Sequence, residues 1–196
     1  VILQKRAAAL ASGTSSLWLR KLDDALARRD LSGLGTAELL LWLEDIDLFS
    51  LAKVCRTAKL TGASLRSMTA KQLVLADADF SSACKLLLHY CLAECGLSGA
   101  PRGLLGWDGA ACEAWLADER FRNFALSGPA LCSLEAGDLV ALGFEEEEAS
   151  DVLRRVRQKA QSDAAEHGLP AWAGEWTALV PAATWVEAAR QSETQV

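Results

Sequence analysis

Several residue types are scarce in this chain of 196 residues. Four Pro and one Tyr stand against abundant Ala and Leu, which disfavours sheet and leaves helices with few internal breaks. Only two His occur, His89 and His167, and neither has a Ser or Cys nucleophile in a recognisable setting. No phosphate-cradling loop is present, because Gly96-Leu-Ser-Gly-Ala-Pro-Arg-Gly103 lacks the Lys-Ser/Thr that would reach phosphate and magnesium. The adjacent acids Asp23-Asp24 and Glu44-Asp45 would diverge on a helix, so neither makes a catalytic pair. The expectation is a non-enzyme without a cofactor. Uninterrupted apolar runs stay well short of eighteen residues, so no membrane-spanning helix is expected. The basic surplus of a general nucleic-acid binder is also missing, the net charge being -6.

What is present is enough apolar sequence, 51% against 23% charged, to bury a core in one or two domains. Six cysteines (Cys55, Cys84, Cys91, Cys95, Cys112, Cys132) raise the question of disulfides. No CxxC pair occurs, and a Leu-rich chain of this length needs no staples. Cys84, Cys91 and Cys95 share one stripe of a helix with Leu88, while His89 projects elsewhere, so the spacing predicts buried thiols rather than a zinc site. Buried thiols fit a reducing, cytoplasmic setting, a cytoskeletal assembly included. The opening Val-Ile-Leu-Gln-Lys-Arg does not resemble a secretory signal, and a first residue other than Met suggests a fragment or a processed product.

Charge is uneven. Residues 1–35 hold six basic and three acidic side chains, whereas residues 99–168 hold seven and thirteen. Glu145–Glu148 read as the solvated first turn of a helix at the positive end of its dipole, with Arg154, Arg155 and Arg157 toward its other end. The spaced ligands and central Gly of an EF-hand are absent from that run. Ser15 and Ser16 can cap a helix carrying Leu17, Trp18, Leu22, Ala25 and Leu26 on one side. Thr36 can cap a second helix bearing Leu39, Leu40, Leu43 and Ile46, with Trp42 alongside. Further helical stretches run over 48–60, 64–67, 69–75 and 81–94, then from Asp108 to about Ser162. Residues 97–103 have linker composition.

The strongest signal is internal repetition. Leu34 precedes Trp42-Leu43 by eight residues, as Trp107 precedes Trp115-Leu116. Gly62 is followed at +3, +6 and +11 by Leu65, Met68 and Leu73; Gly128 is followed at the same offsets by Leu131, Leu134 and Leu139. Phe80 and Phe144 each precede a closing amphipathic helix. The expected organisation is an all-α chain of two small five-helix bundles in tandem. An amphipathic segment (1–33) comes first, then unit one (34–98), unit two (103–162) and a Trp-rich tail (163–196). Trp42, Leu43, Leu65, Phe80, Trp107, Trp115, Leu116, Leu131 and Phe144 are the expected core anchors. Each glycine is expected to let the chain turn tightly where a Cβ would clash.

This order resembles the sterile alpha motif (SAM) family, a five-helix protein-interaction module. Unit two is most similar, in Trp107-Asp-Gly-Ala-Ala-Cys-Glu-Ala-Trp-Leu116, Leu126-Ser-Gly-Pro-Ala-Leu131, Asp138-Leu139 and Leu142-Gly-Phe144. Unit one is similar in Trp42-Leu-Glu-Asp-Ile-Asp-Leu-Phe49 and Leu60-Thr-Gly-Ala-Ser-Leu65. Unit two is seven residues shorter between its Trp-Leu pair and its Gly, so its second helix is expected to be clipped or distorted. The resemblance implies binding to other proteins, to SAM-like domains or to itself, between a mid-loop surface and the start of an end-helix. Glu135 and Asp138 would form the first surface, and Ser81, Ser82 and Lys85 the second. Some family members bind RNA through a basic end-helix, which Glu145–Glu148 disfavour here. Trp172, Trp176 and Trp185 are expected to dock on the units or on a partner, or to open a third unit. The leading expectation is a scaffold or adaptor in a larger assembly. The main alternative is a single irregular helical subunit.

Overall fold

A computed structural model describes residues 15–97, 101–122 and 124–193. The described residues form eleven α-helices and no strand. The first half contains α1 (Ser15–Arg28), α2 (Thr36–Asp45), α3 (Ala52–Thr57), α4 (Gly62–Ser67), α5 (Ala70–Leu75) and α6 (Phe80–Glu94). The second contains α7 (Gly109–Leu116), α8 (Gly128–Leu131), α9 (Ala136–Ala141) and α10 (Glu146–Glu166). A 3-10 turn at Ala171–Gly174 and α11 (Ala182–Glu193) complete the chain. Where the first half has a 3-10 turn (Phe49–Leu51) running into α3, the second has, among the described residues, only the 3-10 turn Glu119–Phe121. The seven missing residues have removed that helix.

Local chemistry sets most helix starts. Thr61 Oγ1 accepts from the Ser64 N–H, Asp79 from the Ser82 N–H and Asp108 from the Ala111 N–H, each satisfying a donor of the first turn. Thr36 is not a cap. Gly35 holds that position, with its N–H on the Glu38 carboxylate at 3.1 Å, while the Thr36 hydroxyl donates to the Leu60 carbonyl. Ser15 and Ser16 are the first two residues of α1 rather than residues ahead of it. The buried stripe of α1 is Leu19, Leu22 and Ala25; Leu17 and Trp18 face outward.

Two apolar clusters form. The first gathers Leu39, Trp42, Leu43, Leu65, Leu73 and the inner face of α6. The second gathers Leu104, Cys112, Leu116, Phe121, Leu131, Leu139, Phe144 and Val156. Trp42 and Trp115 therefore belong to different interiors. Trp107 and Trp115 are only half-buried, edge to face at 5.8 Å, with Lys159 and Arg155 over their rings. Phe80 is half-buried as well, and its correspondence with Phe144 fails. The Phe144 N–H donates to the Leu139 carbonyl, and in the first half it is Ala78 that makes this bond to Leu73. Ala78 is the equivalent position, and Phe80 lies inside α6.

The halves open in the same way. Leu31 and Leu104 each donate their N–H to a buried carboxyl group of the long closing helix, Glu94 and Asp163 respectively. Three residues on, the Leu34 and Trp107 carbonyls accept from Gly62 and Gly128. A Cβ on either glycine would stand 1.6 Å from a backbone oxygen, that of Leu31 or of Leu104. The glycines serve close backbone approach rather than a turn, since neither has a positive φ. The expected boundaries at 34 and 162 consequently cut these contacts: Leu31 belongs with the first half, and α10 continues past 162 to carry Asp163. That extension also puts Arg154, Arg155 and Arg157 in mid-helix, and no basic residue occupies the last turn of α10.

Candidate interaction surfaces

The end-helix residues singled out in the first half are held within the chain. The Ser81 hydroxyl donates to the Ala125 carbonyl and accepts from the Ser127 N–H, both at 3.1 Å, which seats the start of α6 on the loop before α8. The Ser82 N–H is spent on Asp79. Lys85 is half-buried and lines a cavity of about 180 Å³ between the halves, with Asp47, His89, Trp107 and Pro129. Burial, and secondarily the Lys85 charge, holds the His89 pKa below its ordinary value.

The mid-region pair is also engaged. Glu135 accepts from Lys71 Nζ at 2.5 Å, and Asp138 accepts from the Glu135 N–H at 2.7 Å at the start of α9. The hydrogen bond to Glu135, and then its charge, raises the Lys71 pKa. Within the chain Glu135 thus meets the mid-region of the first half.

Trp172 and Trp176 are buried, and Trp185 is half-buried with its indole N–H on the Thr177 carbonyl at 3.0 Å. The tail docks on its own chain. Its central contact is Ala178, whose N–H donates to the Ser133 hydroxyl and whose carbonyl accepts from the Ala70 N–H, each at 2.8 Å. One peptide segment therefore bridges α5 of the first half and the α8–α9 turn of the second. Neither Ser133 nor Ala178 carries any sequence signal, because an Ala and a Ser in a helical chain look like filler.

The cysteines are free thiols. Burial pushes Cys84, Cys91, Cys112 and Cys132 up to about 12, and Cys55 up to about 11. Such thiols are poor nucleophiles and poor metal ligands, and no group of three or more His, Cys, Asp or Glu suited to a metal occurs among the described residues.

Among the described residues, the large apolar side chains left exposed are Phe49, Val74, Leu75, Phe124 and Val140, besides Leu17 and Trp18. Leu75 is 88% exposed. Val74 and Val140 each follow the buried Leu73 or Leu139, so they hold the same place on the outer face of α5 and α9. Lys53 of α3 reaches Asp77, just beyond α5, at 3.5 Å in an exposed ion pair. A concavity of about 620 Å³ lies between α9, α10 and the tail, with Leu134, Leu153, Val156 and Trp176 in its wall. No helix among the described residues is long and apolar enough to cross a membrane.

Neither a family model, nor a curated protein, nor a solved structure matches this chain.

Proposed function

We propose that this chain is a non-enzymatic interaction scaffold, built from two SAM-like helical units and acting within a larger cytoplasmic or cytoskeletal assembly. The observation that carries the reading is the shared opening clamp, Gly62 on Leu31 and Gly128 on Leu104, which gives two sequence-distant segments one geometry. Two such units present Val74 and Val140 at the same outward position, with Leu75 next to the first in sequence and Phe49 also exposed. Exposed aliphatic and aromatic residues at a helix corner suit a protein partner, including a second copy of the chain. The residues expected to form end-helix contacts, Ser81 and Lys85, are taken up between the halves, so the binding face of the proposal is the α3–α5 corner.

Sedimentation velocity over a concentration series tests the self-associating form of this function. Mass above the 21.0 kDa of one chain, lost on Leu75→Glu, is the expected result. A monomer at every concentration for both proteins counts against it.

A second reading has its own observation. The first apolar cluster takes in Leu105, Ala130 and Ala164 of the second half, together with Trp172, Trp176 and Ala178 of the tail. That continuity favours a single cooperative helical subunit, in which the repeat serves architecture alone.

A further inference from the structure

The two buried carboxyl groups that receive the opening leucines draw their cations from different places. Asp163 is served by its own helix: Lys159, four residues earlier on α10, stands 2.6 Å from Oδ1 while Oδ2 takes the Leu104 N–H. Glu94, fully buried near the end of α6, holds the Leu31 N–H on Oε1. Its other oxygen lies 3.3 Å from the guanidinium of Arg190, which belongs to α11. Ala182, Val186 and Ala189 bury the face of α11, and the Cys91 thiol of α6 meets the Ala182 carbonyl at 3.8 Å. Arg29 packs beside Gly96 just beyond α6. The Tyr90 phenol is buried next to Glu94; burial first, and then the Glu94 charge, raises its pKa.

We infer that α11 is a strap that completes the opening clamp of the first half from the far end of the chain. Its docking supplies the charge that keeps Glu94 on the Leu31 N–H, because a carboxylate withdrawn from water holds its geometry poorly once its cation is removed. Release of α11 therefore loosens residues 30–35 and the start of α2, while residues 103–108, whose clamp is self-contained, stay closed.

Amide-resolved hydrogen exchange on the full chain tests the strap independently of any binding partner. Arg190→Met keeps the hydrocarbon stem and is expected to accelerate exchange of the Leu31 amide about tenfold, with Leu104 unchanged. Lys159→Met is expected to do the reverse, and Arg190→Lys to restore most of the Leu31 protection. Unchanged Leu31 exchange in Arg190→Met, or equal acceleration at Leu31 and Leu104, overturns the inference.

Discussion

The carbonyl oxygen of Leu31 lies 1.6 Å from the point a Cβ on Gly62 would occupy, and Leu104 stands in the same relation to Gly128. A methyl group cannot be accommodated against backbone, so Gly62→Ala and Gly128→Ala must each push the opening segment away. Each is expected to destabilise by about 3 kcal/mol, at the upper part of the range for overpacking. Urea denaturation of the two variants against Gly137→Ala, a site with open space around it, measures the difference.

The tail tryptophans differ in burial and should differ in cost. Trp176→Ala removes a buried indole from the first cluster and is expected to cost ~3–5 kcal/mol. Trp185→Ala, at a half-buried site, should cost clearly less. Equal losses in thermal or chemical melts would contradict the tail's division into a seated part and a covering part.

Fragment ends offer a sharper test of the shared clamp. A fragment of residues 34–98 lacks Leu31, and one of residues 103–162 lacks Asp163. Extending them to 29–97 and 101–168 returns both partners of each hydrogen bond, and the second piece, which also holds Lys159, should gain more in melting temperature than the first, which still lacks Arg190. The gain corresponds to ~1–3 kcal/mol for rescuing a buried polar group, with packing in addition. If neither extended piece melts cooperatively, the single-subunit reading gains over two units.

Stability should fall on both sides of neutrality. His89 has a lowered pKa in the fold, so the unfolded chain binds more protons, and stability is lost as pH drops below about 6.5. Cys84 and Cys91 have pKa values raised to about 12, so the folded chain retains protons that the unfolded chain releases above about 9. Their contribution is complete below pH 9 and disappears as pH rises through 12. Denaturation midpoints across pH check both signs, and a disulfide-exchange reagent at pH 8 should find Cys84 and Cys91 protected until the chain unfolds.

Much of this architecture was legible in the residues because helix-forming composition, glycine punctuation and leucine spacing are local. The α4, α5 and α6 segments follow from spacing alone, as does the burial of Cys84 and Cys91, whereas Cys95 of the same stripe is half-buried and the helix expected to be clipped or distorted in the second half is replaced by a 3-10 turn. Equivalence by aromatic type misled at Phe80, where Ala78 fills the place of Phe144, since a hydrogen-bond position depends on backbone geometry and not on side-chain kind. Within the chain Glu135 pairs with Lys71 of the first half, a contact that the charge pattern alone does not single out. Surface ion pairs follow the packing of the helices that carry them, which no spacing rule contains.

By itself the sequence determined the all-helical class, the positions of most helices and the twofold recurrence of Leu, Trp-Leu and Gly, all consequences of short-range periodicity and steric need. Only the tertiary structure decided that Leu31 and Asp163 belong to the clamps, that Ala178 joins α5 to the α8–α9 turn, and that Arg190 reaches back to Glu94. Those contacts link residues distant in the chain, and they exist only after the apolar faces have brought their backbones together.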